Sequence, residues 1–189
     1  MQNKHLAQAH SSSLKMLIIV IFILAGVLRL WNLNDRSLIE WDEAYYAGVV
    51  KTTNAGFNWL IDKITQQSSQ SLQDRLLQEG VSTNFGGKHG FILVALLASM
   101  ILGFNNQLIL IASALAGIAT VYLTGKIAEK IFTEHKIQIS LISMLLLAVS
   151  SIHTYYSRSG FSTSMSVFFV YLGLFFYLNS IDYFSKNDI

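Results

Sequence analysis

The chain contains neither cysteine nor proline. Without cysteine it forms no disulfides and no thiolate metal sites, and redox chemistry says nothing about its compartment. Without proline, one class of turn and kink signal is missing. Charge is scarce as well: 13% of residues are charged, against about 25% in soluble domains. The formal net charge of +2 is too small to suggest a nucleic-acid binder or an acidic tail, so no nucleic-acid partner is expected. What remains is apolar. Of 189 residues 52% are hydrophobic, and the mean hydropathy is +0.46. In such a chain the positions of the charges carry more information than their sum.

The apolar residues fall into runs of membrane-spanning length. The first covers 14–31, about 18 residues, near the lower limit for a bilayer span. Its uninterrupted apolar core, Met16 to Leu28, follows Lys4, His5 and Lys15, and the run ends in Arg29-Leu30-Trp31. A secretory signal peptide is the competing reading. Against it, no small-x-small cleavage site is evident, and the ending suits an interface, where Arg snorkels and Trp prefers to sit. Three further runs, at 105–125, 137–157 and 159–181, contain no charge apart from Arg158 between the last two. The segment 90–103 is apolar but only about 14 residues long, which favours a re-entrant or interfacial helix. Residues 32–87 are more polar and read as a large loop with some amphipathic helix, closed by the turn signal Asn84-Phe85-Gly86-Gly87. The expected fold is therefore all-α: a single polytopic transmembrane domain of four spans whose outer loop contains juxtamembrane helices. The chain leaves little room for a separate soluble domain and ends soon after an apolar stretch, at Lys186-Asn187-Asp188-Ile189. It reads as the first part of a larger membrane protein.

The positive-inside rule orients this arrangement. With four spans, Lys4, Lys15, Lys126, Lys130, Lys136 and Lys186 share the inner side. Asp42, Glu43 and Arg158 then share the outer side. A fifth span at 90–103 would turn the Lys126–Lys136 link outward.

Few residues are candidates for chemistry. In Trp41-Asp42-Glu43-Ala44-Tyr45-Tyr46, adjacent carboxylates follow a span beside aromatics that suit an interface. One reading is a helix cap, with Asp42 as cap and Glu43 in the first turn. The other is a general base or a metal-binding carboxylate at a membrane surface. The two are compatible, because a helix N-terminus fixes the direction of a carboxylate and favours its charge. In Tyr155-Tyr156-Ser157-Arg158-Ser159-Gly160, the arginine either snorkels to headgroups or clamps an anion, since guanidinium matches phosphate in a bidentate way. Ser157, Ser159 and Gly160 are expected to leave space for a ligand beside it. Lys88-His89-Gly90 heads the short apolar helix, where an anion can bind. His153 has apolar neighbours and reads equally well as a packed or a functional residue. Phe168, Phe169, Tyr171, Phe175, Phe176 and Tyr177 read as lipid-facing or core surface. Ala112, Ala114 and Gly117 read as helix-packing residues.

The order of these features resembles the N-terminal part of the C-type membrane glycosyltransferases: Leu28-Arg29-Leu30-Trp31, then Asp42-Glu43-Ala44-Tyr45-Tyr46, a short helix ending in Gly103-Phe104, a span with Ser113-Ala114-Leu115-Ala116-Gly117, and a span leading into Tyr156-Ser157-Arg158. The resemblance is to the branch with protein O-mannosyltransferases and the aminoarabinose transferase of lipid A, and it covers nearly the whole chain. It implies transfer of a hexose or pentose from a polyprenyl-phosphate donor to a hydroxyl of a lipid, glycan or protein acceptor on the outer face. It implies a multi-pass protein of a bacterial or archaeal plasma membrane with a cytoplasmic N-terminus. It assigns Asp42 as base and Glu43 as the residue that orients it or holds a divalent cation. Arg158 binds the leaving lipid phosphate; Lys88 and His89 are further phosphate-binding candidates from the anion site at the head of the short helix, not from the resemblance. The family's Pro-Pro pair before the short helix is replaced here by Lys88-His89-Gly90, and Gly160–Ser164 carries no counterpart of its second carboxylate. Two other classes stand beside this reading: a non-catalytic membrane subunit that binds lipid or partner helices, and a small transporter. The near absence of charge within the runs argues against transport.

Overall fold

The computed structural model describes residues 2–33, 35, 38, 41–65, 69–78 and 89–187, without the side chains of 2–12, 41, 42, 76–78, 89, 102 and 185–187. Among these residues every regular element is a helix: α1 (Gln2–Leu30), α2 (Trp41–Ile64), α3 (Leu72–Gln78), α4 (His89–Leu102), α5 (Gln107–Ile131), α6 (Lys136–Val149), α7 (Ser151–Ser157) and α8 (Ser162–Asn187). Three stretches are long and apolar enough to cross a membrane: Ser13–Leu30, Gln107–Ile131 and Ser162–Phe184. A fourth exists if α6 and α7 are counted together, although they bend by 62° at Ser150. This architecture is consistent with a membrane protein.

With no proline, the helices end by other means. Asn32 (φ 53°) closes α1, Gly103 (φ 78°) follows α4 and His135 (φ 51°) precedes α6. All three occupy the left-handed region, which glycine enters freely and Asn more readily than most residues. Short α3 has its own cap: the Ser71 hydroxyl accepts from the Asp74 N–H at 3.1 Å, as expected of a serine at a helix start.

The central helix is α5. Its small residues Ala112, Ser113, Ala114, Ala116 and Gly117 are buried, and close approach of backbones is what such residues permit. α1, α6 and α8 pack around it. The outward sides of the spans stay apolar, with Ile19, Ile23, Leu146, Val170 and Phe176 among the exposed residues. That is the pattern of helices solvated by lipid, whose tails are as apolar as leucine.

Two expectations are corrected here. Residues 32–87 are less of a loop than their composition suggests: α2 alone runs for 24 residues. Its buried stripe of Tyr46, Ala47, Val49, Val50 and Ala55 follows helical spacing and docks on α4 and α5, with the Tyr46 and Phe91 rings edge to face at 5.4 Å. α3 folds back on α2, where Trp59 donates to the Gln70 carbonyl at 2.9 Å and Arg75 pairs with Asp62. The run 137–157 is likewise two helices with a break, not one continuous span.

Candidate functional site

The ends of the helices sort into two groups. At one end, Lys126 pairs with Glu129, Ser140 reaches Glu129, and Lys130 pairs with Asp182. Lys136 lines the same crevice. At the other end lie the close of α1, the starts of α2, α5 and α8, and the end of α7. Ile109 and Glu129 mark the two groups along α5. Their separation of 20 residues is about 30 Å at 1.5 Å per residue, the thickness of a bilayer's hydrocarbon core.

The second group holds most of the candidate residues. Glu43 is fully buried, and its Oε1 accepts a hydrogen bond from the Gly160 N–H at 2.8 Å. The approach is close. A Cβ at 160 would sit 3.0 Å from Ile109 Cγ2 and 3.2 Å from Glu43 Cγ. Arg158 is the C-cap of α7, and its Nη1 donates to the Leu28 carbonyl at 3.0 Å, so it sits on the open end of α1. Asp42 precedes Glu43 in the first turn of α2; its side chain lies outside the described residues. Lys88 also lies outside them. His89 opens α4, and its side chain is likewise outside. Phe91, two residues on, packs against Tyr46, three residues after Glu43, so α2 and α4 start near each other.

The space expected beside Arg158 is filled. Ser157 and Ser159 are fully buried, and their hydroxyls donate at 2.6 Å to the His153 and Tyr155 carbonyls one turn back. Gly160 is occupied by Glu43 and Ile109. A seam of hydroxyls continues inward: Ser164 donates to the Ser113 carbonyl at 3.0 Å, and Ser113 to the Phe161 carbonyl at 3.3 Å. These side chains satisfy backbone groups of their own and neighbouring helices.

Arg29 is the residue that sequence reasoning misplaced. It does not snorkel; its exposure is 0%. Nη1 donates to the Ala25 and Ala148 carbonyls, both at 3.1 Å, and Nη2 to the Leu147 carbonyl at 3.2 Å. Nη2 also meets His153 Nδ1 at 2.7 Å. A guanidinium nitrogen only donates, so Nδ1 is the acceptor and the imidazole proton resides on Nε2. Arg29 Nε and His153 Nε2 have no partner among the described residues. A signal was present in the sequence: Arg29 and His153 are ionisable residues within otherwise apolar runs, the type of residue that turns toward a bundle interior.

The Asp42 side chain, half of the carboxylate pair expected to hold a divalent cation, lies outside the described residues. Glu43 turns one carboxylate oxygen to a backbone N–H, and no group of three or more His, Asp or Glu side chains able to hold a metal occurs among the described residues. Comparison with family models, with curated proteins and with solved structures finds no match to the chain.

The Glu43–Gly160 bond is testable by itself. Glu43→Ala leaves a buried N–H without this acceptor and is expected to destabilise the fold by about 1–3 kcal/mol. Glu43→Gln keeps an acceptor oxygen of the same reach and should lose less. Unfolding in detergent micelles measures both, and equal losses would show that the Gly160 bond is not what holds α2 in place.

Proposed function

We propose that the chain forms part of a multi-pass membrane glycosyltransferase that moves a sugar from a polyprenyl-phosphate donor to an acceptor hydroxyl. The observation that carries this reading is the Glu43–Gly160 hydrogen bond. It spans 117 positions of sequence and joins the acidic pair to the turn that bears Arg158, at the end of the bundle remote from Lys126, Lys130 and Lys136. By the positive-inside rule the lysine end faces the cytoplasm and the acidic end the outer side.

The chemistry fits these residue types. Asp42 takes the proton of the acceptor hydroxyl, and the hydroxyl oxygen bonds to the anomeric carbon as that carbon's bond to the phosphate oxygen breaks. The electron pair leaves on the lipid phosphate, whose charge meets the Arg158 guanidinium. A base must be ionised and within reach of its proton, and a fixed cation favours the developing charge. Glu43, occupied with Gly160, orients Asp42 by fixing the first turn of α2. No step is routed through a metal.

One observation favours a non-catalytic reading: Glu43 and Arg158 each bond to backbone groups, as they would in a subunit that only packs. Sugar transfer separates the two. Membranes containing the full chain are given polyprenyl-phosphate donors with labelled hexoses and pentoses, and product and released lipid phosphate are followed. Stoichiometric appearance of both supports the transferase. No turnover by folded protein across the donor panel moves the assignment to a lipid- or helix-binding subunit.

A further inference from the structure

Sharp bends in helices have identifiable causes, proline first among them. The 62° bend between α6 and α7 occurs in a chain without proline. The backbone leaves the helical region at Ser150 (φ −58°, ψ 119°). Ser150 then caps the new helix, its side chain accepting from the His153 N–H. The start of α7 is thereby accounted for, but the end of α6 is not. A helix that stops inside a bundle leaves its last carbonyls without N–H partners. The Leu147 and Ala148 carbonyls are taken up by Arg29, whose two terminal nitrogens reach one each. The negative end of the α6 dipole also explains how a fully buried cation is tolerated with no carboxylate beside it among the described residues. On the far side of the break, the same guanidinium holds His153, in the first turn of α7. One side chain of α1 therefore grips both halves of the broken helix.

The grip is returned. Arg158, at the end of α7, donates to the Leu28 carbonyl, one residue before Arg29. Each arginine covers the carbonyl end of the helix that the other comes from or adjoins. We infer that Arg29 is the positioning residue of the candidate site: its guanidinium takes the place of a proline, holds the bend at Ser150 and so sets Arg158 against the end of α1. The bend stands on geometry alone; its bearing on catalysis rests on the transferase reading above. Arg158 lies eight residues beyond Ser150, a lever of about 12 Å, so straightening a 62° bend would swing it by roughly 12 Å.

The absence of cysteine makes the test direct, since labels go only where cysteines are introduced. Ile23 on α1 and Tyr155 on α7 are both exposed. Spin labels at these positions report the swing, which for Tyr155 is up to about 8 Å. In the full chain, reconstituted in lipid, Arg29→Met is expected to shift or broaden this distance by several ångströms. Arg29→Lys keeps the charge but not the fork, and should broaden it less; it takes over the measurement if Arg29→Met does not insert. Ser151→Pro should restore the wild-type distance in either background, because proline suits the first position of a helix and the residue before it, Ser150, already has the extended ψ that proline requires while keeping its cap to His153. Wild-type distances in the Arg29 variants, or no recovery with Ser151→Pro, would overturn the inference. If sugar transfer is found, Arg29→Met should reduce it and Ser151→Pro should recover it together with the distance. Distances that behave as expected in a protein without transfer would leave the bend assigned and remove the transferase reading.

Discussion

Replacing Asp42 with asparagine is expected to lower the turnover of sugar transfer by roughly 10²–10⁴-fold, the usual worth of a general base, while donor binding stays within about a factor of two. The two effects separate because of what asparagine keeps. It has nearly the shape of aspartate and retains an oxygen acceptor suited to the start of a helix. It cannot accept the proton of an attacking hydroxyl. If Asp42 acts only through the chemical step, polyprenyl-phosphate donors bind the variant as they bind the wild type, and single-turnover experiments show the whole loss after binding. If Asp42 serves only to start α2, asparagine serves nearly as well there, and binding and turnover both stay near wild type. Glu43→Gln is the partner experiment. Its effect should be smaller than that of Asp42→Asn, because Glu43 bonds the Gly160 N–H and, on the function proposed above, acts on the reaction by holding Asp42.

Hydropathy reads some of this molecule well and some not at all. Most of the run at 159–181 lies in α8, which starts at Ser162, and the short apolar segment at 90–103 is a helix over His89–Leu102, because an apolar stretch bounded by Gly or Asn declares its own ends. The run at 105–125 ends before its helix does. α5 continues to Ile131 through Lys126, Glu129 and Lys130, whose charges are met by one another and by Asp182. Pairings of that kind are invisible to a count of apolar residues. The break in 137–157 is hidden for a different reason. Val149-Ser150-Ser151 carries no breaker, and the groups that stabilise the interruption come from Arg29, more than a hundred residues away. Gly160 looked like room for a ligand, whereas it is room for Glu43. A glycine in sequence reveals that something comes close, and only the packing reveals what.

The seam between α5 and α7 gives the largest expected change in stability. Gly117 faces Ser157 so closely that an added Cβ would lie 2.1 Å from Ser157 Oγ, 2.6 Å from its Cβ and 3.2 Å from Arg29 Nε. Ser157 cannot turn away without giving up its 2.6 Å hydrogen bond to the His153 carbonyl, and its Cβ is fixed by the backbone of α7. Gly125, on the same helix, meets chiefly the thioether of Met144, a side chain flexible enough to move. Gly117→Ala should therefore cost about 3 kcal/mol, the upper part of the range for overpacked cores, and clearly more than Gly125→Ala. The force acts between helices, so relief must come from the facing residue. Ser157→Ala removes only the hydroxyl and leaves the Cβ contact, and should rescue Gly117→Ala little. Ser157→Gly removes both atoms. The double variant Gly117→Ala, Ser157→Gly should be more stable than the two single losses predict by about 1–2 kcal/mol, a coupling of the size seen for residues in contact. Unfolding in mixed micelles across the four proteins measures it, and strictly additive losses would mean that α5 and α7 are not in contact at Gly117. Because Arg29 lines the same position, the spin-label distance between Ile23 and Tyr155 should widen in Gly117→Ala and return in the double variant, linking the packing of the seam to the bend that it supports.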